Sequence, residues 1–394
     1  MGEGTHSMKK NMSVELQLLL TIIGEGALAE KQQSIRSVVS RIDWNIFLLL
    51  ASEHRVYPRV ANVFNQLDCN IPLHVMETLN QKTLRNTLKM LKLTAAMERV
   101  CYELSQNHIQ VLVLKGPVLA EALYGDFSQR TSKDIDILVS GHHFEKAQQV
   151  LLQLGYQPDE EIPILLTSVI RRHHHLGYTH PLTGVQVELH WRMSADVYKE
   201  PKFTELWERR RETVKTSIPV YFLGHDDLFV YLISHGARHG WFRLRWLADI
   251  ERMIQMGLDW ENITDKCRQL NKIHILGQTL VLVSELFHVQ LSRNIIETTM
   301  HKKTRQLAEE AIKIINEYVY ILRQNSQFDQ KYYFKHYTSL LLTPRQKIKL
   351  LLNKLYPHDI DTQMLALPRW LHFMYFPLRP FIWVIRKSRD QLST

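Results

Sequence analysis

Two hydrophobic rhythms divide the chain. From residue 13 to about 100, apolar residues recur at helical intervals, as in "DWNIFLLLASEHRVYPRVANVFNQL". Met90, Leu93, Met97, Val100 and Leu104 fall at i, i+3, i+7, i+10 and i+14, one stripe of a long amphipathic helix. The rhythm changes at residue 109. "IQVLVL" is a short apolar run with β-branched residues that ends at Lys115-Gly116-Pro117, which predicts a strand, a glycine turn and a helix. Pro117 then sits in the first helical turn, where its missing N–H is harmless, and Gly125 is placed to cap the end of "PVLAEALY". A polar loop, "DFSQRTSK", leads into a second strand, "DIDILV", and a helix, "FEKAQQVLLQL", stopped by Gly155. "HHHLGYTH" and "VQVELHWRM" flank the turn residues "PLTG", a predicted hairpin. In its second arm Val185, Val187, Leu189 and Trp191 share one face, and Gln186, Glu188, His190 and Arg192 the other. From about residue 220 the helical rhythm returns and runs to the end.

The pattern therefore predicts an α+β fold with three regions: helices over 1–104, an α/β core over 105–215 and helices over 216–394. Pro201, Pro219 and the polar run "RRRETVKTS" mark the second boundary.

Composition narrows the class without naming an activity. Hydrophobic residues make up 45% of the 394 and charged residues 23%, ordinary proportions for a soluble globular chain. Cys69, Cys101 and Cys267 are far apart with no CxxC, which fits core cysteines in a reducing compartment. The net charge of +9 favours a polyanionic partner. It does not choose among nucleotide, nucleic acid, phosphorylated substrate and membrane surface. "MGEGTHSMKKN" has neither a long apolar core nor a small-residue cleavage site, so no signal peptide is expected. The C-terminal run "WLHFMYFPLRPFIWVIRK" is broken by His372, Pro377, Arg379 and Pro380. It falls short of the roughly 20 apolar residues of a spanning helix. A cytoplasmic protein is expected. The basic residues of that segment (Arg369, Arg379, Arg386, Lys387 and Arg389) lie among aromatics. Two roles are open to it: packing on the helical region, or peripheral contact with an anionic membrane.

The chemistry gathers at "RTSKDIDILV". Residues i and i+2 of a strand face the same way, so Asp134 and Asp136 project together. Convergent carboxylates beside a buried sheet repel each other and lose hydration unless cations neutralise them. Mg²⁺ does this, binding through one or two carboxylates and substrate phosphate oxygens. Glu188 is the candidate third oxygen donor, although spacing alone does not bring it beside the pair. From the two aspartates alone, a solvated strand end with unrelated acids is an equal reading. The strand, glycine turn and helix start before them add a phosphate-binding geometry, since free N–H groups and the helix dipole point at an anion.

Placed before a D-x-D strand and a strand carrying Glu188, this layout resembles the nucleotidyltransferase superfamily that includes DNA polymerase β. More closely, "LKGPVLAEALYGDFSQRTSKDIDILV" resembles the Lys-Gly … Tyr-Gly … Arg … Asp-x-Asp-(Leu/Ile)-Leu-Val signature of a bacterial nucleotidyltransferase-like family. "VELHWRM" and "HGARHGWFRLRWLADI" resemble that family's later signatures, and the likeness runs from about residue 40 to 255. The resemblance implies a small nucleotidyltransferase-type mixed sheet and two-metal nucleotidyl transfer with Mg²⁺ or Mn²⁺. Asp134 and Asp136 would hold metal on the triphosphate, and Glu188 would complete a second site that activates an acceptor hydroxyl. Gly116 would let the backbone approach the phosphates, and Lys115 and Arg130 would clamp them. His190 shares the face of Glu188. The donor would be a nucleoside triphosphate or a nucleotide-sugar, and the acceptor a small molecule or a peptide. Family members occur beside lasso-peptide enzymes, including kinases of the peptide terminus, which makes a phosphorylated lasso peptide a specific option. One departure concerns the grip on the donor: Pro117 stands where the superfamily usually has serine, and the gap from Gly116 to Asp134 is long.

His235 and His239 lie i, i+4 on one helical face, open to three readings: zinc ligands lacking an evident third, a cap on the pocket, or structural packing. His235, His239, Trp241 and Arg243 are expected to bind the acceptor, in a cleft between the core and the C-terminal helices. Trp241 would stack, and Arg243 and Arg245 would meet anionic groups. Trp241, Arg245 and Asp249 could equally be internal glue. His173, His174 and His175 are expected to be mostly structural, with one of them at the cleft, because neighbours on a strand diverge. A non-catalytic binding module and an RNA-end nucleotidyltransferase are the competing functions. No RRM or KH signature supports RNA.

Overall fold

The computed structural model describes residues 12–160, 173–194, 199–323, 330–354, 364–365 and 367–392. The N-terminal "MGEGTHSMKKN" and the side chains of Arg369, Arg386, Lys387 and Arg389 lie outside what is described.

The N-terminal helices begin where polar side chains satisfy their first N–H groups. Ser13 Oγ accepts from Leu16 N at 3.2 Å to start Val14–Ile23. Asp43 Oδ1 accepts from Asn45 N and Ile46 N to start Trp44–Glu53. The predicted stripe lies on a 34-residue helix, Leu73–Gln106, with Met90, Leu93, Met97, Val100 and Leu104 all buried. That helix backs the sheet.

The sheet has seven strands: β1 (Val111–Val113), β2 (Ile135–Val139), β3 (Gln157–Pro158), β4 (His175–Thr179), β5 (Gln186–His190), β6 (Arg211–Glu212) and β7 (Tyr221–Phe222). Their order is β3-β4-β5-β2-β1-β7-β6. β1 runs antiparallel to β2, and the predicted β4–β5 hairpin is antiparallel. β5 joins β2 in parallel, so the sheet is mixed. The pairing of Val113 with Phe222 adds β7 beyond residue 215, the expected edge of the core. One cluster of buried apolar residues runs from Met12 to Leu341, through both helical regions and the sheet.

Two local features set the site. Gly116 has φ +95° between β1 and the helix Pro117–Tyr124, a backbone that glycine adopts without strain. Gly125, at φ +68°, ends that helix as expected. In the C-terminal helix Tyr375–Leu392, Tyr375 and Ile382 are buried whereas Phe381 is exposed. Among the described residues no helix is long and apolar enough to cross a membrane.

Candidate active site

The register of β2 and β5 does what sequence spacing alone does not. Asp136 pairs across the parallel ladder with Glu188, and paired residues present their side chains on the same face. On the next ladder His190 pairs with His175 and Glu188 with Gly177. Asp134 lies one residue before β2 begins. Asp134, Asp136, Glu188, His190, His174 and His175 thus line one cleft of about 330 Å³, walled on the far side by the helices His225–Arg238 and Leu244–Gln255.

Asp136 is fully buried, which is tolerable for a carboxylate only when its charge is met. Lys115, just past β1, donates to Asp136 Oδ2 and stands 3.7 Å from Asp134 Oδ1. His190 Nε2 lies 3.3 Å from Asp136 Oδ1 and 3.3 Å from Glu188 Oε2. Burial alone would lower the Lys115 pKa, but Asp136 and Asp134 hold it above its ordinary value. Burial likewise works against a charged His190, and its bonds to Asp136 and Glu188 outweigh that and raise its pKa. Burial would raise Glu188. The His190 bond and the Lys115 charge overcome it and bring Glu188 down to about 2, so this carboxylate is ionised at neutral pH.

The other histidines are held neutral. Burial, then the positive charge of Arg238, takes His174 down to about 2. Burial, then His190, takes His175 to about 4. On the opposite wall burial and nearby cations lower His239 to about 3 and His235 well below its usual value. His235 and His239 face each other at 4.8 Å between ring centroids and both pack on Trp246. They line the cleft without joining either cluster of metal-ligating side chains found among the described residues. Arg243 also lines it, its guanidinium 4.7 Å over the Phe242 ring.

Two expectations are corrected, for Trp241 and for the histidine run. Trp241 cannot stack on a substrate: it is 0% exposed, with its ring against Gly236. The tryptophan at the cleft is Trp246. Arg130 lines the cleft, with its guanidinium held by protein groups. It is 2% exposed, its Nε donates to both Asp249 oxygens at 3.1 and 3.0 Å, and Nη1 donates to the Thr131 carbonyl. Asp249 is held inside by this pair, and Arg245, which also lines the cleft, donates from Nη1 to Thr131 Oγ1 at 2.9 Å. The histidine run also brings two members to the cleft where one was expected. Only His173 stays out, exposed, its carbonyl accepting from Arg192. Arg238 and Tyr231 are cleft residues that sequence reasoning missed. The signal for Arg238 was present, since it lies three residues after His235 on the same helix.

Gly116 serves the site by position. An added Cβ there would lie 3.4 Å from the Asp134 carbonyl oxygen, so the turn after β1 is packed on the segment carrying the aspartate.

None of the curated proteins compared with this chain matches it. A family described as uncharacterised nucleotidyltransferase matches residues 40–288, well over half the chain, including every strand and both helices that wall the cleft. The mixed sheet, the paired acids and this match make the chain a member of that nucleotidyltransferase family.

Proposed function

We propose that the cleft transfers a nucleotidyl or sugar group, with a divalent cation, from a nucleoside triphosphate or nucleotide-sugar to a hydroxyl or phosphate acceptor. The observation that carries this reading is the pairing of Asp136 with Glu188 across β2–β5, with Asp134 in the same cleft. The donor set fits a cation: oxygen and nitrogen atoms of Asp136, Glu188 and His190 lie within 4.8 Å of one another. When bound, the cation would neutralise phosphate charge and make an acceptor hydroxyl more acidic.

The chain's own residues have separable tasks in this reading. Lys115 fixes the Asp136 carboxylate through Oδ2, leaving Oδ1 turned toward His190. Glu188, ionised and partly open to the cleft, is the acid best placed to sit near an acceptor proton. Arg238 and Arg243 place positive charge on the helical wall, where donor phosphates would enter. His235 and His239, neutral and beside Trp246, give the acceptor hydrogen-bonding groups next to an aromatic surface. A phosphorylated peptide, including a lasso peptide, is one acceptor that a cationic wall would suit.

The test is incubation of the purified protein with labelled nucleoside triphosphates and nucleotide-sugars, divalent cation and candidate acceptors, followed by mass analysis. Asp134→Asn and Asp136→Asn should each lower turnover by at least about a hundredfold in soluble, folded protein, since removing one electrostatic partner of a transition state costs that much. Full turnover in either folded variant would refute the assignment.

A further inference from the structure

We propose that the helix Pro344–Lys354 seats the protein on an anionic lipid bilayer, its apolar stripe in the boundary between headgroups and acyl chains and its cations on the lipid phosphates. None of its residues lines the cleft, so this surface stands or falls apart from the transferase reading.

A surface helix normally turns its apolar residues inward, and this one is reversed. Its buried residue is Gln346, whose Oε1 accepts from Thr343 N at 2.8 Å and whose N donates to Thr343 Oγ1 at 3.3 Å. Leu341 and Leu342, just before the helix, are buried too, so its start is fixed to the body of the protein. Ile348, Leu351 and Leu352 fall at i, i+3 and i+4 on one face, and they are 59%, 61% and 53% exposed. At about 100° per residue, this stripe points away from Gln346. Arg345 and Lys349 flank it on one side and Lys347 on the other, all three exposed. Single exposed apolar residues are ordinary, whereas a contiguous stripe of three marks a surface that something covers. Further along the chain Phe373 and Phe381 are exposed as well.

Charge selects the occupant. Residues 330–394 hold eleven Lys and Arg against three Asp, an excess of eight in a chain whose net charge is +9. No Asp or Glu occurs from residue 330 to 358. Lys199 joins Arg345 and Lys349 around a groove of about 620 Å³ at the start of the helix, with no acid among its described lining residues. Such a groove suits a phosphate headgroup. Nucleic acid would account for the cations but would leave three aliphatic side chains without a role, since its contacts run to phosphates and base edges. A second copy of the chain would cover the stripe but set these cations against their own kind. An anionic bilayer takes both. The aliphatic side chains enter the boundary, while the lysines and arginine extend their stems and keep their charge at the phosphates.

The test is flotation of the full chain with vesicles of phosphatidylcholine, alone or with phosphatidylglycerol added, at low and high salt. The expected result is an affinity at least about tenfold higher for the anionic vesicles, falling as salt screens the headgroups. Ile348→Ser/Leu352→Ser should weaken binding to the anionic vesicles by about tenfold or more, because two aliphatic side chains no longer leave water. Both positions are more than half exposed, so circular dichroism and melting midpoint should hold. If that variant does not fold, Leu351→Lys takes its place with a loss in the same direction. Lys347→Gln/Lys349→Gln should reduce the preference for anionic vesicles by at least about threefold. Equal affinity for the two kinds of vesicle, or unchanged affinity in a folded variant of the stripe, overturns the proposal. Binding of a single-stranded RNA probe with no binding of vesicles would assign the surface to nucleic acid instead. A dimer that Ile348→Ser/Leu352→Ser dissociates, again with vesicles unbound, would assign it to a second copy. Either result overturns the proposal too.

Discussion

Asp136 is an acid in the middle of a strand whose five residues are all buried, and it is stable there because a lysine and a histidine meet its two oxygens. Removing Lys115 should therefore harm the fold, with activity lost as a result. Lys115→Met leaves a buried carboxylate short of a cation, a defect that typically costs about 3–5 kcal/mol. Urea denaturation should register that loss in the single variant and a large recovery in Lys115→Met/Asp136→Asn, where the charge is gone too. Additive losses would show that the ion pair is not what makes the aspartate tolerable. The aspartates were legible in the sequence because carboxylates at spacing two in an apolar run demand an explanation. The contact of Lys115 with them was not legible. Lys115 reads as a phosphate ligand when seen beside Gly116, and only the antiparallel register of β1 on β2 turns it toward Asp136. His175 was hidden for the same reason: alternation says one histidine of the run faces the cleft, but pairing with His190 decides which strand face that is.

The helices of the cleft wall meet at a close contact. A Cβ on Gly236 would collide with the indole of Trp241, which sits at φ +56° in the turn between His225–Arg238 and Leu244–Gln255. Gly236→Ala should push that ring outward and destabilise the protein by about 1–3 kcal/mol. Melting midpoint and tryptophan emission would move together, and an unchanged midpoint would contradict the contact. The two walls are tied by Arg130 and Asp249. Arg130→Met should lower the melting midpoint while leaving donor KM within about twofold in the protein that remains folded, as expected of an interior ion pair. A tenfold rise in KM at unchanged stability would support the phosphate-clamp reading instead. At this scale the sequence was informative wherever an element was long enough to show a period. The helix Leu73–Gln106, the β4–β5 hairpin and the glycine stops at 125 and 155 all follow from pattern. The two-residue strands β6 and β7 do not, since alternation needs more residues than they have.

Across the whole molecule, the N-terminal helices are fastened to the C-terminal region by the buried Glu251 and by partly exposed ion pairs of Glu25. Glu251 Oε1 accepts from Glu25 N at 2.9 Å, and Glu25 bridges Arg59 and Arg252 at 3.2 Å each. Burial pushes Glu251 up to about 7, and the Glu25 charge adds to this, against the Glu25 N–H, Arg59 and Lys31. The sign follows from proton uptake. The folded state holds the proton up to about pH 7, whereas the unfolded carboxyl releases it near 4.5. This contribution is fully present below pH 4.5 and is lost as pH rises through 7, by at most about 3 kcal/mol. Glu251→Gln should accordingly be less sensitive than the wild type between pH 5 and 8 and more stable at pH 8, as read from denaturation curves. An identical pH dependence in the two proteins would refute the assignment. The change from a helical to a strand-bearing rhythm and back was visible in the sequence. The single apolar cluster that joins these stretches was not, because composition does not say which faces meet.

The parallel pairing of β2 with β5 has a consequence in time as well as in space. His190 and Asp136 are 54 positions apart in the chain, whereas Lys115 and Asp136 are only 21 apart. Closing the shorter loop is entropically easier, and distant strand pairings slow folding. During refolding the lysine–aspartate pair can form with β1 and β2, leaving Glu188 and His190 in water until the hairpin docks. Competence to bind a cation should then be a late event. In a stopped-flow experiment, Co²⁺ absorption should develop after the helical circular dichroism has recovered. Simultaneous recovery of both signals would mean that β5 docks with the first collapse.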